Sequence, residues 1–227
     1  DDGTEVPADM VLVSAGVKPN TELAKSAGLT IGASGGLVVD EHLRTNDPFI
    51  WAAGDMLEIV NRVSGKPTRV PLAGPANRQG RIAATNALGG SMRYAGAVGT
   101  SVFKSFDHTF AMTGLSEKAA LAQGIDARSV TVHRDHHVGY YPGAEEISLK
   151  LVYEHGSGRL LGAQAFGKFG VDKRIDVAAT AIAGTLTIDD LAELDLAYAP
   201  PYGAANDPIN MAAFVAQNDE SGYAPIV

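Results

Sequence analysis

The stretch "RTNDPFIWAAGDM", residues 44–56, most narrows what this chain can fold into. A turn-forming Asn46-Asp47-Pro48 leads into an apolar run at residues 49–53, which stops on Gly54-Asp55. An apolar run that does not alternate suits a strand covered on both faces, as in a parallel sheet. Open α/β sheets bind ligands at the carboxyl ends of such strands. Gly54 permits close approach of backbone or ligand. Asp55 would then sit at the sheet edge, able to accept hydrogen bonds from the hydroxyls of a sugar or sugar alcohol. Capping of the next turn is the competing role for Asp55, and spacing alone does not separate the two.

The flanking sequence has the same character. Residues 10–15 form a short apolar run that reads as a strand and is followed by Gly16 and a Lys18-Pro19-Asn20 turn. Thr21 can cap a short helix closed by Gly28. Gly35-Gly36 precede a strand at residues 37–39, and residues 59–70 read as a hairpin around Ser64-Gly65-Lys66-Pro67. Residues 75–88 read as a helix stopped by Gly89-Gly90. Its approach, "PLAGPA", contains Ala73, Gly74 and Ala76, so a flat ligand could lie against the backbone. The amides at a helix start carry about half a positive charge and favour an anion or a developing negative charge. A reduced flavin, negative around N1 and the C2 carbonyl, is one such ligand. A small-residue helix packed on a sheet is the plainer alternative.

Residues 89–101, "GGSMRYAGAVGTS", separate two kinds of pattern. Beyond them come longer, alternating strands at residues 102–112, 129–137, 147–154 and 160–167, with Gly156-Ser157-Gly158 turning the last pair into a hairpin. "VDKRIDVAATAIAGTL" has helical spacing of its apolar residues. "TIDDLAEL" opens with an acidic relative of the capping box, Thr187 and Asp190. Asp207-Pro208 supply an N-cap and an N1 proline for a last helix. This half predicts an antiparallel sheet with helices on one side, and the boundary falls near residue 95. Lys173 and Arg174 are expected on a solvated face or in pairs across a dimer. In "HRDHH", His133, Asp135 and His137 would share one strand face. A solvated strand end is favoured there over a zinc site.

A net charge of −8 argues against a nucleic-acid phosphate surface. No apolar run approaches the roughly 20 residues needed to cross a bilayer, so no membrane partner is expected. The chain has no Cys, hence no disulfide, thiolate nucleophile or Cys-based metal site, and no metal site is expected. No signal peptide opens it, which favours the cytoplasm.

In order, these motifs resemble the pyridine nucleotide–disulfide oxidoreductase family. Thr45, Ala52 and Gly54-Asp55 match the family's second FAD motif, in which the Asp holds the ribityl chain. "VLVSAGVKPNTEL", with Gly16, is similar to the strand and glycine that close the inserted NAD(P)H domain. "PLAGPANRQGRIAATNALGG" resembles the helix whose start meets the flavin pyrimidine edge. The resemblance implies cofactor contacts from Gly16, Gly54, Asp55, Leu72, Ala73, Gly74 and Ala76. Residues from about 100 onward resemble the dimerisation domain. "HHVGYYPGAEEISLKL" and "LAYAPPYGAANDPINMAA" are similar to the coenzyme A–disulfide reductase and NADH oxidase branch. By that resemblance Tyr198 and one of Tyr140 or Tyr141 reach across a dimer toward the partner's cysteine. Interface aromatics with a polar tip are the alternative for these tyrosines.

The expected fold is therefore an α/β FAD-domain segment, part of a three-layer nucleotide-binding fold, followed by an α+β dimerisation domain with an antiparallel sheet. Residues 1–16 would end the NAD(P)H domain, 17–95 complete the FAD domain, 96–218 form the dimerisation domain and 219–227 a tail. The family's glycine motifs and redox cysteine do not occur, so the chain reads as the C-terminal half of a longer enzyme. The resemblance implies FAD as cofactor, NAD(P)H as substrate, a homodimer, and coenzyme A disulfide or a persulfide as acceptor. The alternatives are an NADH oxidase or peroxidase of the same family, an electron-transfer reductase of the same fold or, for this chain alone, a non-catalytic dimerisation module.

Overall fold

The computed structural model describes residues 2–224. In the first half, α1 (Glu22–Ser26) precedes a small sheet of β1 (Leu37–Val38), β2 (Leu57–Val60) and β3 (Pro67–Thr68). β1 pairs parallel to β2, and β2 pairs antiparallel to β3, which gives the expected hairpin. Helix α2 (Ala73–Ala87) packs Ile82 and Ala83 into a cluster with Leu37, Leu43, Leu57 and Ile59. It starts two residues earlier than its pattern suggests, so Ala73 and Gly74 form the first turn rather than a loop. Thr21 is buried, but its side chain does not cap α1.

Two expected strands are not formed. Residues 10–15 carry no strand, and Met10 and Leu12 are each 88% exposed. Residues 49–53 contribute only an isolated bridge, Trp51 to Arg44, and Phe49 is exposed. A run of the both-faces-covered kind needs a neighbour to pair with and layers above and below; among the described residues the first run has neither, and the second pairs only with residues 43–45 while Trp51, Ala52 and Ala53 pack partly buried on the smaller core.

The second half is a single five-stranded antiparallel sheet. β4 (Ser101–Ser105), β5 (His108–Gly114), β6 (Ala127–Asp135), β7 (Glu146–Glu154) and β8 (Leu160–Gly167) lie in the order β4-β5-β8-β7-β6. The strand expected over residues 102–112 is instead two strands turning at Phe106-Asp107, where Phe106 takes a left-handed φ of 50°. Alternation then decides the faces: Ile147, Leu149 and Leu151 of β7 are buried, while Ser148 and Lys150 point away. Each buried leucine contributes about 1.5–3 kcal/mol.

α4 (Val171–Ala183) and α6 (Pro208–Glu220) cover the buried face, with Ile175, Ala178, Ile209 and Ala213 in the core. α5 (Ile188–Ala192) carries the reciprocal Thr187–Asp190 capping box, and α6 starts at the Asp207 N-cap with Pro208. α6 runs to Glu220, and its buried Asp219 accepts a 2.5 Å hydrogen bond from the Tyr153 hydroxyl. A helix not anticipated, α3 (Glu117–Ala122), is capped by Ser116, whose side chain accepts from the Ala119 amide. The uncovered face presents Phe103 stacked on Phe110 at 5.0 Å, with Phe166 beside them. No helix among the described residues is long and apolar enough to cross a membrane.

Val63 of the first half is buried in the core of the second, and three cations reach carbonyls across the join. Arg62 donates to Ala183 O at 3.2 Å, Lys66 to Gln123 O at 2.8 Å and Arg159 to Val63 O at 3.0 Å.

Candidate functional site

Thr45 shapes the first group of candidate residues. It is buried, and its hydroxyl donates to Ile50 O at 3.0 Å and accepts from the Asp47 amide at 3.1 Å. These bonds fold the turn that aims residues 51–54 toward α2. Gly54 has φ +103°, a region open chiefly to glycine. Its amide donates to Gln79 Oε1 at 2.8 Å, and Gln79 is buried in α2. The structure thus brings the Gly54-Asp55 turn against α2, with the Asp55 side chain exposed. Gln79 is the residue that sequence reasoning missed here. Its polar side chain on the buried stripe of α2, one turn before Ile82 and Ala83, was the available signal.

Leu72 is the N-cap of α2, in extended conformation, and no side chain caps the helix. The first turn holds no acidic residue of its own to offset its positive end. Ala73 and Gly74 are exposed there, and Ala76 is half-buried. This donor set suits the negative edge of a flat ring, and the Asp55 carboxylate suits a polyol. Both fit FAD. Gly16 stands apart: it lies in the exposed leading segment, with no contact to Asp55 or Ala73 among the described residues.

The tyrosines form a second group. The Tyr140 and Tyr198 hydroxyls lie 3.3 Å apart, and both rings are exposed. The hydrogen bond with Tyr140 holds the Tyr198 phenol above its ordinary pKa. Tyr141 does not join the pair; its ring meets His137 edge-on at 5.5 Å. No hydrogen bond or ring contact links the tyrosines to the Gly54–Ala76 group among the described residues.

Two expectations about charged residues are corrected. Arg174 is not solvated: it is 1% exposed and makes a bidentate pair with Asp207. His133, Asp135 and His137 do not share a face, because β6 ends at Asp135 and His137 turns inward, buried beside His136. His133 stays exposed, with Nδ1 2.9 Å from the Ser148 hydroxyl. Burial also holds the His136 imidazole below its ordinary pKa.

Comparison with known proteins agrees with this two-part layout. The profile described as pyridine nucleotide-disulphide oxidoreductase matches residues 1–80, and that family's dimerisation-domain profile matches residues 100–207. The chain is 39% identical over 214 residues to the NAD(P)H sulfur oxidoreductase (CoA-dependent) of Pyrococcus furiosus, covering 94% of this chain and 48% of that one. It is 37% identical over 210 residues to the coenzyme A disulfide reductase of Staphylococcus epidermidis, covering 92% and 48%. Among solved structures, an NAD-dependent persulfide reductase from A. fulgidus superposes with a TM-score of 0.93 at 47% identity, over 97% of this chain and 41% of the other. The chain spans about half the length of the curated relatives it matches. Matched in order by both profiles, it belongs to the pyridine nucleotide-disulphide oxidoreductase family, whose members pair FAD with NAD(P)H.

Proposed function

We propose that this chain is the flavin-contacting and dimer-forming half of an NAD(P)H oxidoreductase that reduces coenzyme A disulfide or a related persulfide. The cysteine and the two glycine motifs would come from the rest of the enzyme. The observation that carries this reading is the exposed pair of phenols, 3.3 Å apart, on the dimerisation domain. Relatives named for coenzyme A and persulfide chemistry support it.

When bound, FAD would carry reducing equivalents from NAD(P)H to the disulfide. Asp55 accepts hydrogen bonds from the ribityl hydroxyls, and Gly54 gives the tail room against the backbone. Leu72, Ala73, Gly74 and Ala76 present the start of α2 to the pyrimidine edge, where negative charge gathers on reduction.

The tyrosines act on the leaving sulfur. Two phenols hold two protons, and their mutual bond uses one. The other O–H can point outward to a coenzyme A thiolate. A phenol ionises near 10 and a thiol near 8.5. Full proton transfer to the thiolate is therefore uphill, and the hydrogen bond to Tyr140 raises that barrier for Tyr198. The pair stabilises the thiolate by donation while keeping its own proton. The exposed Phe103, Phe110 and Phe166 form an aromatic surface of the kind a subunit interface covers, which supports a homodimer.

In the full-length protein, Asp55→Ala is expected to weaken FAD binding about tenfold or more, read by flavin release on dilution. Tyr198→Phe should slow flavin reoxidation by coenzyme A disulfide and spare flavin reduction by NAD(P)H, as followed by stopped flow. Efficient turnover with dioxygen and none with coenzyme A disulfide would overturn the substrate assignment.

A further inference from the structure

The two tyrosines sit on segments far apart in sequence, and one side chain joins those segments. The Arg174 guanidinium donates Nε to Asp207 Oδ1 at 3.1 Å and Nη2 to Asp207 Oδ2 at 2.7 Å. Nη2 also donates to the His136 carbonyl at 2.7 Å, and Nη1 to the Gly170 carbonyl at 3.2 Å. His136 leads into the Tyr140 loop, and Asp207 ends the loop that begins at Tyr198. A backbone bond from the Val138 amide to Gly203 O, 3.0 Å long, ties the same two loops midway. We propose that Arg174 is a positioning residue, whose buried guanidinium clamps the two loops and so sets the approach of the Tyr140 and Tyr198 phenols.

A purely structural role explains the arrangement poorly. Buried ion pairs are often no more stabilising than apolar residues of equal volume. A cation near the start of a helix such as α4 also meets the positive end of its dipole. What a planar fork does supply is fixed geometry to several acceptors at once, which a lysine ammonium cannot reproduce. The surroundings are cut to that fork. Gly170 has φ +69°, and a Cβ there would lie 2.2 Å from Arg174 Nη1. Asp207 is engaged at both ends, since its Oδ1 also accepts from the Ile209 amide at 3.1 Å and caps α6. The clamp is therefore anchored to α4, to α6 and to both tyrosine loops. Lys173 Nζ stands 4.0 Å from Asp207 Oδ2, so the carboxylate keeps a cation nearby when the guanidinium is changed.

This inference rests on the disulfide-reduction reading, and a mutant cycle in the full-length flavoprotein separates the two. Arg174→Lys is expected to leave flavin reduction by NAD(P)H unchanged. It should slow reoxidation by coenzyme A disulfide roughly fivefold or more, with the half-saturating disulfide concentration changed less than about twofold. In a Tyr198→Phe background, the same change should add less than about twofold, because the group it positions is already gone. Equal slowing of both half-reactions, or full multiplication of the two effects, would overturn the proposal while leaving the disulfide reading intact. Tyr198→Phe without effect on reoxidation would overturn that reading and this inference with it. Should Arg174→Lys not fold, Gly170→Ala displaces the guanidinium without removing its charge, and the same pattern is expected of it.

Discussion

Strand β7 and the segment at residues 10–15 are both rich in large apolar side chains, yet Leu149 and Leu151 are fully buried while Met10 and Leu12 stand in solvent. The difference lies in what surrounds them. β7 is paired on both sides, to β6 and to β8, and α6 lies across it. From Ile147 to Leu151 its apolar residues alternate, so one covered face is enough there. The leading segment does not alternate, and a strand of that kind is stable only when two faces and an edge are supplied together. The second half of the chain carries its own core. The first half carries a smaller one, centred on Leu37, Leu57 and Ile82, and presents unpaired apolar chain beside it.

The largest test of this contrast is a pair of truncations in the 227-residue chain. Leu151→Ala is expected to cost about 3 kcal/mol, read from the urea midpoint. Leu12→Ala should change stability by less than about 0.5 kcal/mol. Comparable losses at both sites would break the comparison, since residue 12 would then be packed after all. A second change probes the join within the first half. Gln79→Leu removes the acceptor of the Gly54 amide, and a loss of about 1–2 kcal/mol is expected, together with weaker FAD binding in the full-length protein. If FAD affinity holds while stability falls, Gln79 supports the fold without setting the Asp55 turn.

The smallest effect is a pH dependence confined to the second half. Burial, and then the hydrogen bond to Asp219, push the Tyr153 phenol well above its ordinary value. A raised folded-state pKa means that this stabilisation is fully present below about pH 10, where an unfolded phenol ionises. It is lost as pH rises above that point toward the folded value. Wild type should therefore lose stability relative to Tyr153→Phe between about pH 9.5 and 11, by up to about 1.4 kcal/mol per pH unit. A flat difference across that range would show that the buried hydroxyl does not govern the alkaline limb.

Much of this was legible because it is local. The capping box at Thr187, the Asp207-Pro208 helix start, the hairpin at Gly156-Ser157-Gly158 and the α2 stretch each declare themselves within a few residues. Strand existence at residues 10–15 and 49–53 was not, because pairing depends on neighbours that periodicity does not name. α3 was hidden by its length of 6 residues, too short for a helical stripe. Resemblance singled out Tyr198 with one of Tyr140 or Tyr141, but neither the choice of Tyr140 as its neighbour nor the clamp beneath them was legible. Arg174 sits in a charged "DKRID" string, and charge in such a string ordinarily means solvent. Only the fold, by bringing Asp207 and the His136 carbonyl under α4, turns that cation inward.

The three cationic links between the halves all end on main-chain oxygen. A carbonyl is supplied by every residue type, so the receiving positions Gln123 and Ala183 can drift in identity with little consequence for the seam, whereas Val63 is held by its own buried side chain in the second half's core. Arg62, Lys66 and Arg159 cannot, because length and charge are what bridge the gap. The join between the two halves is thus written from both sides, Arg62 and Lys66 reaching out of the first half and Arg159 out of the second, and it depends on side-chain reach rather than on any matched ion pair.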